Sequence, residues 1–267
     1  MRRLLLALLL AVRLAGANCD DPGIRVTEER QGDIVRLYAE TTTCLDLTFT
    51  LTADLQNIRT SAPLPATVES RGSPRFLLLE LRPAAPGQAW SYRYRYHWQY
   101  GGRGGEPDDT AYRLPFAGSH RLQQGYRGSF SHQRGSPNEH AHDWVMPVGT
   151  PVLAARGGTV VGVRQDSTTG GPSETYKQCA NYVIIRHADG TYAEYLHLQT
   201  QGVEVRLGDE VQAGQRLARS GNTGWSTNPH LHFAVFRTVD GQTRETLPVR
   251  FRLKDGTVQP LHEGRTY

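Results

Sequence analysis

The sequence predicts an all-β protein in two parts, and three observations carry that expectation. No stretch of useful length repeats apolar residues at helical spacing, so there is no amphipathic helix from which to build a core. Residues 20–100 instead hold short runs of branched and apolar side chains, separated by polar or proline-containing breaks. After Gly101-Gly102-Arg103-Gly104-Gly105 the character changes: glycine and proline rise, short strand-like runs continue, and most of the histidines appear.

In the first part, residues 34–39, 45–52 and 76–81 read as strands. Residues 90–100 set Tyr92, Tyr94 and Tyr96 against Arg93 and Arg95, the period-two pattern of a half-buried strand. Such an aromatic row could also line a sugar-binding face, but packing against a second sheet is the simpler reading. Together these strands predict an immunoglobulin-like β-sandwich over residues 18–105. Residues 106–120, opening with Glu106-Pro107-Asp108-Asp109, read as a linker.

The second part is expected to be an antiparallel β domain over residues 121–240, with residues 241–267 as an extension packed on it. Strands are predicted over 159–164, 203–211 and 215–219, and residues 181–198 read as a hairpin turning at Ala188-Asp189-Gly190. The long polar loop over residues 166–177, with Gly170-Gly171-Pro172, suits the wall of a groove.

Composition narrows the function. Of 267 residues 38% are hydrophobic and 21% charged, as in ordinary folded proteins. The net charge is +4, and Arg2, Arg3 and Arg13 belong to the leader, so no clustered basic face remains for nucleic acid. Residues 1–17 have a positive start, an apolar run over 4–12 and a small-residue exit at Ala15-Gly16-Ala17, the layout of a secretory signal. That run is too short to span a bilayer as a helix, so no transmembrane segment is expected after signal cleavage. Asn18 before Cys19 does not suit lipid attachment. Lysine occurs only as Lys177 and Lys254 among many arginines, which fits a GC-rich bacterial source and an exported protein, periplasmic first and secreted second. In an oxidising compartment a Cys19–Cys44 disulfide is expected, leaving Cys179 as a loop or core thiol.

The chemistry concentrates in Asn228-Pro229-His230-Leu231-His232-Phe233-Ala234-Val235-Phe236. On a strand His230 and His232 share one face, while Leu231, Phe233 and Val235 share the other and can enter a core. Two imidazoles on a rigid strand suit zinc, or a division between metal ligand and proton carrier. Tyr195-Leu196-His197-Leu198 brings a third histidine, placed by alternation on the face of Ala193 and Tyr195. Asp143, in Ala141-His142-Asp143-Trp144-Val145, supplies a carboxylate ahead of the turn at Pro147.

These segments resemble the LytM/lysostaphin-type zinc endopeptidases. The string Asp143-Trp144-Val145-Met146-Pro147-Val148-Gly149-Thr150-Pro151 is similar to their metal-site strand. Gly157-Gly158-Thr159-Val160-Val161, Tyr195-Leu196-His197-Leu198, Gly208-Asp209-Glu210-Val211, Ser220-Gly221-Asn222-Thr223-Gly224 and His230-Leu231-His232 follow in the expected order. The resemblance implies a duplicated-hybrid-motif fold, an antiparallel β structure with a groove, and hydrolysis of peptide bonds in peptidoglycan stems or cross-links. It implies that Asp143 and His232 bind Zn2+, and that His197 and His230 orient the attacking water and stabilise the developing oxyanion.

One position departs from the family. The first histidine ligand normally stands four residues before the aspartate, and Glu139 stands there in this chain. His132, on a loop through Gly135 and Pro137, is the first substitute; Glu139 itself and His140 are the others. His142 should face away from its neighbour Asp143. His97, His120, His187 and His262 have no partner in the pattern. Gly221 and Gly224 read as turn residues needing unusual backbone angles. A second reading is an inactive relative that binds wall material or activates a separate hydrolase, and the completeness of the ligand set separates the two.

Overall fold

The computed structural model describes residues 23–41 and 46–267. Its first part holds β1 (Arg25–Gln31), β2 (Ile34–Glu40), β3 (Leu47–Gln56), β4 (Ile58–Thr60), β5 (Ala66–Glu69), β6 (Arg75–Pro83) and β7 (Ser91–Tyr100). They form two sheets, ordered β1-β2-β6-β4 and β5-β3-β7. Alternation sends Val35, Leu37 and Ala39 from β2, Leu47, Phe49 and Leu51 from β3, and Leu79 and Leu81 from β6 into one core between the sheets. Each such leucine or phenylalanine contributes roughly 1.5–3 kcal/mol of burial. Tyr92, Tyr94, Tyr96 and Trp98 of β7 pack against that core, while Arg93 and Arg95 face solvent. The aromatic row therefore belongs to the sandwich interior. Strand β1 escaped the sequence reading because Arg25, Glu28, Glu29 and Arg30 mask it; it pairs with β2 along its whole length as a polar edge.

The second part holds β8 (Tyr112–Arg113), β9 (Leu122–Gln124), β10 (His142–Val145), β11 (Pro151–Leu153), β12 (Gly158–Arg164) and β13 (Gly170–Gly171). A short 3-10 helix, Glu174–Cys179, precedes β14 (Tyr182–Arg186), β15 (Tyr192–Leu196), β16 (Leu198–Val203), β17 (Glu210–Val211) and β18 (Arg216–Ser220). The chain continues through β19 (Gly224–Trp225), β20 (His230–Thr238), β21 (Arg244–Thr246), β22 (Phe251–Arg252) and β23 (Val258–Gln259). The main sheet runs β17-β12-β14-β15-β20-β10-β9, with β21 added beside β20. Trp144, Val160, Val183, Ile185, Tyr195, Leu231, Phe233 and Val235 fill the core beneath one of its faces. The predicted hairpin is present as β14 and β15, and Asp189 Oδ1 accepts from Thr191 N in its turn.

Two sequence expectations are corrected here. Residues 203–211 do not form a continuous strand: the chain turns between β16 and β17, where Asp209 Oδ2 accepts from Arg206 N and Gly208 takes φ 86°. Alternating Val203, Val205 and Leu207 imitate a strand there, yet Val205 is buried and Leu207 exposed around a turn. Cys179 is fully buried and disulfide-bonded, so it is not the leftover thiol. The signal segment 1–17 and the expected Cys19–Cys44 pair lie outside the described residues. Among the described residues no helix is long and apolar enough to cross a membrane.

The two parts share a seam. Val161, Ile184, Tyr192 and Phe236 form an apolar patch on the main sheet, on the face opposite the core, and Tyr100 and Tyr182 pack against it. Tyr100 and Tyr182 join through their hydroxyls at 2.7 Å, and Arg186 pairs with Asp46 at 2.9 Å. Main chain meets main chain at two glycines: a Cβ on Gly241 would stand 2.3 Å from Thr50 N, and one on Gly105 2.3 Å from Gly190 O.

Candidate metal centre

Register assembles the site. Asp143 on β10 lies opposite His232 on β20 on one side and opposite Gln124 on β9 on the other. His232 in turn lies opposite Leu196, and Leu196 opposite Tyr182, so one row of side chains crosses the sheet. His230 sits two residues along, opposite Val145, on the same face. Leu231, Phe233 and Val235 point into the core and hold the strand rigid beneath the histidines. This is the alternation expected from the sequence.

His132 arrives on the loop between β9 and β10 and is fully buried. Its Nε2 stands 3.3 Å from Asp143 Oδ2, while His232 Nδ1 stands 2.8 Å from Asp143 Oδ1. Ligand atoms of His132, Asp143 and His232 all lie within 4.8 Å of one another, a grouping able to hold a metal ion. The loop is fastened by Gln124. Its amide nitrogen donates to Asp143 Oδ2 at 2.8 Å, and its oxygen accepts from the backbone N–H groups of Phe130, Ser131 and His132.

The two other substitutes for the first ligand are occupied elsewhere. Glu139 pairs with Arg127 at 2.8 Å and accepts from Gly135 N, closing its own loop. His140 is tied through Nδ1 to Thr246 O at 2.7 Å. His142 faces away as expected, stacked on Trp144 at 5.3 Å inside the aromatic core, where burial lowers its pKa to about 3.

His197 corrects the face assigned to it. Ala193 and Tyr195 enter the core, whereas the His197 ring lies 4.5 Å from that of His230 and 6.0 Å from that of His232. The cause is a left-handed residue: His197 has φ 63°, which breaks the alternation between β15 and β16 and turns the ring onto the site. Its Nδ1 hydrogen-bonds Thr223 O at 2.7 Å. His230 Nδ1 is anchored likewise, 2.8 Å from Asn228 O and 3.1 Å from Ser226 Oγ. With Nδ1–H donating to a carbonyl, the Nε2 lone pair of each ring is free for the site. His230 Nε2 stands 3.9 Å from Asp143 Oδ1.

The electrostatics separate the imidazoles. Burial lowers the His197 pKa to about 3, helped by the neighbouring His230 and His232, so this ring is neutral near pH 7. Burial opposes the charged form of His232 as well, but the Asp143 and Glu194 carboxylates outweigh it and raise its pKa to about 9. Asp143 is buried, which favours its acid form, yet His232 and His132 hold it well below the usual carboxylate range.

The 166–177 loop is bound to the site's rim by parallel pairing of Gly170 and Gly171 with Gly224 and Trp225. Gly224 takes φ 81° as anticipated. Gly221 instead serves close approach, since a Cβ there would stand 2.5 Å from Gln199 N. The sequence reading missed Gln124, for which no pattern signals a role. It also missed Glu194, whose one signal is a lone carboxylate within the otherwise apolar Tyr192-Ala193-Glu194-Tyr195-Leu196.

Residues 138–245 match the profile of Peptidase family M23. The chain is 40% identical over 93 residues to the peptidoglycan DD-endopeptidase ShyA of Vibrio cholerae, covering 35% of this chain and 19% of that protein. It is 39% identical over 97 residues to the glycyl-glycine endopeptidase ALE-1 of Staphylococcus capitis, covering 36% of this chain and 24% of that protein. The matches thus span a quarter or less of these relatives' length. Among solved structures, the catalytic domain of lysostaphin from Staphylococcus simulans aligns at 28% identity over 48% of this chain and 87% of that one, with a TM-score of 0.34.

Proposed function

We propose that the chain, whose residues 138–245 match the profile of Peptidase family M23, is an exported, periplasmic zinc endopeptidase that hydrolyses peptide bonds in peptidoglycan. The observation carrying this reading is the convergence of His132, Asp143 and His232 within 4.8 Å, with His197 and His230 beside them. Two imidazoles and one carboxylate are a donor set suited to zinc with a position left over for water. His132 Nε2 is buried with no hydrogen-bond partner, as a nitrogen reserved for an ion would be. In this reading His132 Nε2, the Asp143 carboxylate and His232 Nδ1 hold the metal. A bound zinc ion supplies Lewis acidity, making water a nucleophile near neutral pH and polarising a carbonyl.

The chain's own residues do the rest. His197 and His230, each fixed by its Nδ1 contact, present Nε2 atoms that can accept a proton from the attacking water and return it to the departing amine. Once a ring has taken up a proton at Nε2, it can donate that N–H to the oxygen where negative charge develops.

A second reading keeps the groove without catalysis, as a wall-binding protein or an activator of a separate hydrolase. The displaced first ligand favours it, since Glu139 is committed to Arg127. One experiment separates them. Purified protein is assayed for metal and incubated with peptidoglycan fragments, whose products are read by mass spectrometry. About one zinc per chain, lost in His132→Ala, together with cleaved peptide supports the peptidase; zinc-free protein and intact fragments sink it.

A further inference from the structure

Three of the four histidines at the centre are braced by backbone carbonyls. His132 Nδ1 stands 3.3 Å from Gly125 O, His197 Nδ1 2.7 Å from Thr223 O, and His230 Nδ1 2.8 Å from Asn228 O. His232 differs. One of its nitrogens faces Asp143 and the other, Nε2, faces Glu194 Oε1 at 3.5 Å. Both Nε2 and Oε1 are buried, neither has a hydrogen-bond partner, and each faces the other.

Glu194 is in place for this by register. It lies opposite Ala234 on β20, one step diagonally from His232 on the same face of the sheet. Its second oxygen, Oε2, is held by Arg244 of β21, which reaches across the face of β20 over the Phe236 ring at 5.0 Å. Arg244 also donates to Asn138 Oδ1 at 3.1 Å, in the loop that leads from His132 to Asp143. A carboxylate buried to this degree is costly unless a cation answers it. Arg244 does so, and leaves Oε1 directed at the imidazole.

We propose that Glu194, clamped by Arg244, is a positioning residue for the metal centre: its Oε1 accepts from His232 Nε2–H and so keeps the Nδ1 lone pair turned toward the ion. This rests on the zinc-peptidase reading above. A carboxylate behind a ligating imidazole fixes the tautomer and ring angle and makes the ligand more basic, which a carbonyl does less strongly. Of the proposed ligands, His232 alone is backed by a charged group other than Asp143, so its loss is felt in affinity for the metal before it is felt in the fold.

The test uses the full-length chain as Glu194→Gln and Glu194→Ala, with zinc alone as the probe. Zinc affinity is measured by competition with a chromophoric chelator, the visible absorption of the cobalt-substituted protein is recorded, and thermal unfolding is followed without metal. Zinc affinity is expected to fall 10–100-fold in the alanine variant and about tenfold in the glutamine variant, with an altered cobalt spectrum in both. Should Glu194→Ala fail to fold with Arg244 left unanswered, Glu194→Gln, which keeps the shape and one acceptor, decides. Folded variants that bind zinc as tightly as the parent, with the same cobalt spectrum, overturn the role of Glu194 and leave the peptidase reading standing. A parent chain that binds no zinc overturns both.

Discussion

At Gln124 a single amide makes five hydrogen bonds to four residues: it donates to Asp143 and the Ser131 hydroxyl and accepts from the N–H groups of Phe130, Ser131 and His132. It thereby joins the loop bearing His132 to the strand bearing Asp143. Gln124→Leu keeps similar volume but strands buried donors, so it should cost about 1–3 kcal/mol of stability in urea unfolding. The proposed zinc binding should weaken with it, because His132 loses its tether. A residue away from the site adds to the loss of stability in acid. His187 is buried against Gly157 O, and burial, reinforced by the Arg156 cation, lowers its pKa to about 4. Below its ordinary value near 6.5 the unfolded chain takes up a proton that the folded chain refuses, so stability declines as pH falls toward 4 and this loss stops there. The loss is on the order of 3 kcal/mol. In His187→Asn, which can still donate to Gly157 O, denaturation midpoints measured between pH 7 and 4 should show a flatter decline; an unchanged slope would contradict it.

Among the elements, strands with strong alternation were legible and the devices between them were not. The faces of β20 and the turn of the β14–β15 hairpin follow from local pattern, because burial on one side of a pleat leaves a two-residue signature. The ring of His197 was misplaced because one positive φ, invisible in composition, reverses alternation at that residue. Arg244 acts on Glu194 from 50 residues away, and no local rule reaches across that separation. The site's rim is an element of the same kind. Parallel pairing of β13 with β19 holds the loop over 166–177 beside the segment whose Thr223 O anchors His197. A Cβ at Gly170 would stand 2.2 Å from Asn222 O. Gly170→Ala is therefore expected to shift the rim, lowering turnover in the proposed peptidase reaction by about tenfold to a hundredfold while leaving the proposed metal binding in place. Measuring kcat and metal content on the same sample checks this.

Over the whole molecule, one sheet face carries two loads. At one end lie Asp143 and the histidines; at the other, Val161, Ile184, Tyr192 and Phe236 are covered where the N-terminal sandwich docks. The sandwich is thus seated on the same surface that presents the proposed chemistry, and Tyr182 connects the two ends, paired with Leu196 in the site's row and hydrogen-bonded to Tyr100. That arrangement ties melting of the sandwich to melting of the candidate metal centre, provided the seam stays shut. At Gly241 the seam closes on bare peptide, with Thr50 N and His97 O where a methyl group would go. Neither obstacle can rotate aside as a side chain would. Gly241→Ala should act as a wedge, leaving both cores intact but costing about 1–3 kcal/mol where they join. Calorimetry would then resolve two heat-absorption peaks in place of one, since units that no longer grip each other melt on their own schedules.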